Sequence, residues 1–107
     1  MTTPVAAFVR VLDADALHSG VPAAVEVQGL PVCVVRLDDR VVAFEDRCPH
    51  RGTPLSQGTL CGTTLTCRAH TWEFDVRTGE LLRLRAPASL RMLEAREVDG
   101  GIEVAAA

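Results

Sequence analysis

The sequence has no lysine and no tyrosine, and only one tryptophan and three phenylalanines among its 107 residues. All eleven basic residues are therefore arginine, and against fourteen acids they leave a formal charge of −3. A general nucleic-acid binder needs a basic stripe to displace phosphate counterions, so this charge excludes that class. Long apolar runs are missing too. Apolar residues make up 48% of the chain, but no uninterrupted stretch approaches the roughly 20 residues of a membrane-spanning helix, so no membrane association is expected. The start, Met1-Thr2-Thr3-Pro4, has no charged region leading into an apolar segment and a cleavage site. The expected location is the cytoplasm. In that compartment the four cysteines point to metal ligands or buried thiols before disulfides, because cytosolic thiols are kept reduced.

A chain of this length has room for one domain, residues 1–107, and buries roughly two-thirds of its unfolded surface. Its texture is that of short β-strands. Val5 to Val11 and Ala23 to Gln28 carry β-branched residues at strand density, separated by a segment, Asp13 to Gly20, that reads as one helical turn closing at glycine. Pro31 to Leu37 and Val41 to Glu45 flank Asp38-Asp39-Arg40, a hairpin turn, so the first 45 residues read as an antiparallel meander. From Asp46 to Glu80 regular alternation gives way to Gly, Thr, Cys, His and Pro, with short strand candidates at Thr64 to Cys67 and Trp72 to Asp75. Alternation resumes at Arg91 to Val98 and, after Asp99-Gly100-Gly101, at Ile102 to Ala105, a hairpin signature. The fold class expected is all-β, with a loop-rich insert at about residues 46 to 80.

The insert holds Cys48-Pro49-His50-Arg51-Gly52 and Cys67-Arg68-Ala69-His70, with sixteen residues between His50 and Cys67. Each half offers one thiolate and one imidazole. Structural zinc sites also mix these ligands, but their pairs are normally two like residues separated by at least two others. A Cys-x-His pair fits that habit poorly. It fits a [2Fe-2S] centre in which one iron takes two cysteines and the other two histidines, because each loop must then supply one ligand to each iron.

On these residues the chain resembles the Rieske ferredoxin family, whose pattern is Cys-x-His, a spacer near this length, and Cys-x-x-His. The resemblance implies a Rieske fold: an antiparallel base domain with a small inserted cluster-binding subdomain. It also implies one [2Fe-2S] cluster held by Cys48, His50, Cys67 and His70. Thr66-Cys67-Arg68-Ala69-His70-Thr71-Trp72 is similar to the ferredoxins of toluene-type diiron monooxygenases, with ring-hydroxylating dioxygenase ferredoxins as near alternatives. The implied activity is one-electron transfer from a flavin-dependent NAD(P)H reductase to an oxygenase or hydroxylase component in aromatic hydrocarbon catabolism. No small-molecule substrate is bound and the chain is not itself an enzyme. Apart from His50 and His70 only His18 remains, so the sequence lacks the two histidines and carboxylate of a mononuclear oxygenase iron. Two other readings stay open: the small Rieske-like subunit of an assimilatory nitrite reductase, and a zinc-stabilised binding module.

High-potential members of the family carry a disulfide between the two loops and hydroxyl donors to the sulfurs. The corresponding positions here are Thr53 and Ala69, and Trp72 and Phe74. None can serve, and the resemblance therefore implies a potential at the low end of the family's range, about −150 mV. Cys33, in an apolar run, is expected in the core, with Cys61 structural as well and a Cys33 to Cys61 disulfide disfavoured. His18 is expected at the surface and Trp72 beneath the cluster loops. Pro87 resembles a loop that shields the cluster. Residues 47 to 85 hold six arginines (47, 51, 68, 77, 83 and 85) against Glu73, Asp75 and Glu80, a net +3, while the remainder carries −6. That polarity suggests a face that steers toward an acidic partner.

Overall fold

The computed structural model describes residues 7–49, 52–68, 72–84, 86 and 88–105. Its architecture is all-β and antiparallel. A six-stranded sheet has the order β1-β10-β9-β4-β3-β2 and a four-stranded sheet the order β5-β6-β7-β8. The larger sheet comprises β1 (Val9–Asp13), β2 (Ala23–Val27), β3 (Leu30–Arg36), β4 (Val41–Glu45), β9 (Met92–Val98) and β10 (Gly101–Ala105). The smaller comprises β5 (Thr59–Cys61), β6 (Thr64–Thr66), β7 (Glu73–Asp75) and β8 (Leu81–Leu82). Among the described residues no helix is long and apolar enough to cross a membrane.

Strands β2, β3 and β4 form the expected meander, but β1 does not join it. It pairs instead with β10, with a register break between Arg10 and Leu12. The alternation of apolar residues fixes which face a strand buries and says nothing of which edge it joins, so the meander expected over the first 45 residues is corrected at its first strand. Val5 and Ala6, the start of the expected first strand, lie outside the described residues. The segment between β1 and β2 is a single 3-10 turn, Ala14–Ala16, and the chain turns at Gly20 with φ of +81°. The β9–β10 turn places both Asp99 and Gly100 in the left-handed region, the twist that a two-residue hairpin between right-twisted strands requires.

Strands β3 and β4 position the site. Their side chains alternate between two separate apolar clusters. Val32, Val34, Val41 and Ala43 join Val27, Ile102 and Val104 on one side of the sheet. Cys33, Val35, Val42 and Phe44 join Leu55, Leu60, Leu65, Phe74, Val76 and Leu90 on the other. Burial on both faces explains why these two strands read as near-continuous apolar runs. The second cluster is the floor on which the four-stranded sheet rests, and the two motif cysteines belong to it.

Candidate metal centre

Cys48 follows β4 by three residues and Cys67 follows β6 directly. Both are fully buried. Each begins a loop closed at its base in the same way: the cysteine amide donates to the carbonyl five residues further on, Cys48 to Thr53 at 2.8 Å and Cys67 to Trp72 at 2.7 Å. A bond between the first and last residues of so short a segment fixes both of its ends at the base. His50 and His70 fall inside these two closed loops by sequence. Both histidines, with Arg51, Ala69 and Thr71, lie outside the described residues, as do Arg85 and Pro87. Among the described residues no three potential metal-ligating side chains gather.

The first loop is further held by a second backbone bond, the Gly52 amide to the Cys48 carbonyl at 2.7 Å, with Gly52 at φ of +77°. That conformation favours glycine because it has no Cβ to clash. Upstream, Asp46 is the buried charged residue of the described chain, 8% exposed. Its carboxylate accepts the Ser56 amide at 2.7 Å and the Ser56 hydroxyl at 2.6 Å. Its own amide donates to the Pro31 carbonyl at 2.9 Å, anchoring the loop to β3. A buried carboxylate is tolerated because its oxygens find donors.

The second loop is set against the first by Gly58, which ends the 3-10 turn Leu55–Gln57. A Cβ at Gly58 would run into the Thr66 carbonyl oxygen, one residue before Cys67. Only glycine allows the chain to pass there. Neither Gly58 nor the Asp46–Ser56 clamp stands out in the sequence. The one available signal for the clamp is a Ser ten residues from an Asp, which carries no periodicity.

Trp72 is partly buried, packs against the same apolar cluster and lies tilted against Phe74, their ring centroids 6.4 Å apart. Phe74 itself is fully buried. Cys33 is buried and free, as expected, and burial pushes its thiol pKa up, with the negative charge of Asp46 adding to the shift. Cys61, expected to be structural like Cys33, is instead an exposed free thiol. It ends β5 at the hairpin tip, where an alternating strand turns it outward. His18 is exposed.

Residues 7–94 match the Rieske [2Fe-2S] domain. The chain belongs to this family. Ferredoxin CarAc of Metapseudomonas resinovorans is 34% identical over 79 residues, which cover 74% of each chain. The ferredoxin of carbazole 1,9a-dioxygenase from Nocardioides aromaticivorans IC177 superposes with a TM-score of 0.86 at 34% identity, covering 94% of this chain and 98% of that one. A similar match, TM-score 0.80 at 32% identity over 92% of each chain, is found in a complex of reduced oxygenase and oxidised ferredoxin of carbazole 1,9a-dioxygenase. Longer proteins carry the domain as well: methylxanthine N1-demethylase NdmA of Pseudomonas putida is 43% identical over 54 residues, half of this chain but 15% of that protein.

The cofactor of the family is a [2Fe-2S] cluster, and the donors described here fit it. Two buried thiols, on two separately closed loops that rest on one apolar floor, are what an iron with two cysteine ligands needs. The surrounding Leu55, Leu60, Leu65 and Phe74 keep water from that side.

Proposed function

We propose that the chain is a one-electron carrier in which Cys48, His50, Cys67 and His70 hold the Rieske cluster. The supporting observation is the matched closure of the two loops, Cys48 to Thr53 and Cys67 to Trp72, over a shared apolar floor. When bound, the cluster supplies reversible one-electron chemistry. The chain's own residues then have three tasks. Cys48 and Cys67, buried and deprotonated, would hold one iron as thiolates, and the tied loops fix their position. The Asp46–Ser56 clamp fixes the first loop, and the close passage of Gly58 by Thr66 keeps the two loops in mutual register. His50 and His70, which fall within the two loops in sequence, would hold the other iron.

The partners that fit are a flavin-dependent NAD(P)H reductase as donor and an oxygenase component as acceptor. Two of the similar ferredoxin structures named above are of carbazole 1,9a-dioxygenase, one of them in complex with the oxygenase, which favours a dioxygenase among the two kinds of oxygenase that the sequence resembles. The inserted subdomain corresponds to residues of about 46 to 80, carrying both loops. The positions opposite the family's disulfide and hydroxyl donors include Thr53, whose carbonyl closes the first loop, and the apolar ring of Phe74. With those donors missing, the midpoint potential is expected near the low end of the Rieske range, about −150 mV.

The test is iron and acid-labile sulfide analysis with electron paramagnetic resonance of the dithionite-reduced protein. Two irons and two sulfides per chain with the low-average-g signal of mixed nitrogen and sulfur ligation are expected. Full occupancy with an all-sulfur signal would remove His50 and His70 from the ligand set, and a colourless zinc protein would overturn the reading. A midpoint above zero would overturn the low-potential assignment alone.

A further inference from the structure

The molecule is negative overall, yet the end that carries both motif cysteines is not. Among the described residues 47–49, 52–58, 66–68, 72 and 83–84 there is no acid, with Asp46 and Glu73 just outside them in sequence. Three arginines stand there. Arg83 is tied to Glu73 at 3.1 Å. Arg47 and Arg68 are exposed and enter no ion pair among the described residues. Arg47 lies over Gly52 in the first loop, with its Nε 3.3 Å from where a Cβ would stand. Arg68 follows Cys67 in the second, and its guanidinium reaches Gln57 Oε1 at 3.4 Å, a neutral partner that orients the charge without cancelling it.

An exposed apolar side chain follows Arg83 in the chain. Leu82 pairs with Glu73, so the chain leaves β8 beside Trp72, the residue that closes the second loop. There Arg83 adopts a left-handed conformation, φ of 66°, which is uncommon for a residue with a Cβ. The residue it turns outward is Leu84, one of two large hydrophobic side chains markedly exposed in the described chain, at 50%. A protruding apolar side chain rimmed by charge is the composition of a transient protein interface. Of the acids that flank these segments, Glu73 is paired with Arg83 and Asp75 with Arg77, while Asp46 is buried and accepts from Ser56.

We infer that this end of the molecule is a cationic docking face, formed by Arg47 and Arg68 beside Leu84, and that it takes an acidic patch on the redox partner. The inference rests on the electron-carrier reading. The local charge, opposite in sign to the net charge of −3, sets the encounter because the field at a reacting edge is dominated by charges within about a Debye length, ~10 Å at 0.1 M salt. A partner that docks here gains rate from steering and from orientation, since the rest of the surface repels it.

The opposition of local and net charge makes a direct experiment. The reduced holoprotein, first verified by its resonance signal, is oxidised by stopped flow with ferricyanide, an anion, or hexaammineruthenium(III), a cation. Docking through the arginines predicts that ferricyanide is faster at low salt, by about tenfold over high salt, while the cation's rate rises with salt. The double variant R47E/R68E should reverse both slopes, and R47Q/R68Q should flatten them. Polyaspartate, standing in for the acidic patch, should slow ferricyanide with the wild-type protein and leave R47E/R68E unaffected. Salt slopes that follow the net negative charge, or that R47E/R68E does not move, would overturn the docking face and leave the carrier reading intact. Absence of the resonance signal would overturn the carrier reading, and the docking face with it.

Discussion

Ser56 gives both its amide and its hydroxyl to one buried carboxylate, that of Asp46, at 2.7 and 2.6 Å. The pair joins the strand end before the first cysteine to the 3-10 turn after the loop, so it fixes the loop from outside. Removing the hydroxyl in Ser56→Ala is expected to cost about 1.5 kcal/mol, the lower range for a bond to a charged group. Asp46→Ala should cost about 3 kcal/mol, because the Ser56 amide is then left unpaired as well. Urea unfolding measures both, and equal losses would show that the carboxylate serves only the hydroxyl.

Gly58 passes so close to the Thr66 carbonyl that no Cβ fits. Backbone cannot swing aside as a side-chain tip can. Gly58→Ala is expected to destabilise the protein by about 1–3 kcal/mol, as overpacking does, and to displace Cys67 with Thr66. A faster release of iron to a chelator, alongside a lower melting temperature, is the expected result; a melting temperature within a degree of wild type would contradict it.

Cys33 and Cys61 are both free, but they should behave oppositely toward thiol reagents. Burial, with Asp46 adding, raises the Cys33 pKa, so its thiol stays protonated and shielded, whereas Cys61 is exposed. Labelling of the native holoprotein near pH 8 should modify Cys61, and Cys33 only after unfolding. The same shift has a stability consequence of definite sign. The folded state holds the proton more tightly than the unfolded chain, so the contribution is complete below the ordinary thiol value of about 8.5 and is lost as pH rises above it. Cys33→Ala should remove that alkaline decline.

Asp75 accepts three hydrogen bonds from Arg77: its amide at 2.9 Å, Nε at 3.1 Å and Nη2 at 2.9 Å. The Arg77 side chain chiefly, then its amide and its charge, hold the carboxyl below its ordinary value, with Arg40 of the β3–β4 turn assisting. A depressed carboxylate contributes stability above the unfolded value of about 3.9 and loses it as pH falls through the folded one. Carbon-detected titration should place Asp75 below that figure, and Arg77→Ala should move it back up.

Much of this was legible in the residues themselves. The apolar runs of β3 and β4, the Asp99-Gly100 turn and the closing hairpin follow from local pattern, and the two cysteines that the spacing singles out, Cys48 and Cys67, are buried in one cluster. What could not be read is non-local. The union of β1 with β10 depends on edge geometry, and β5 and β8, three and two residues long, are too short for alternation to register. The Asp46–Ser56 clamp arises only once the first loop folds back on itself, and the passage at Gly58 only once the two loops are brought together. Cys61 was expected to share the role of Cys33, because residue type gives no account of which side of a short edge strand faces out.

Neighbouring residues of β3 and β4 report to different compartments. Trimming Val34 opens a void in the layer beneath Ile102 and Val104, whereas trimming Val35, its chain neighbour, loosens the bed under the thiols. The two central strands thus act as a partition wall: the scaffold can be retuned from one surface of it while the iron-bearing annex, leaning on the other, keeps its footing.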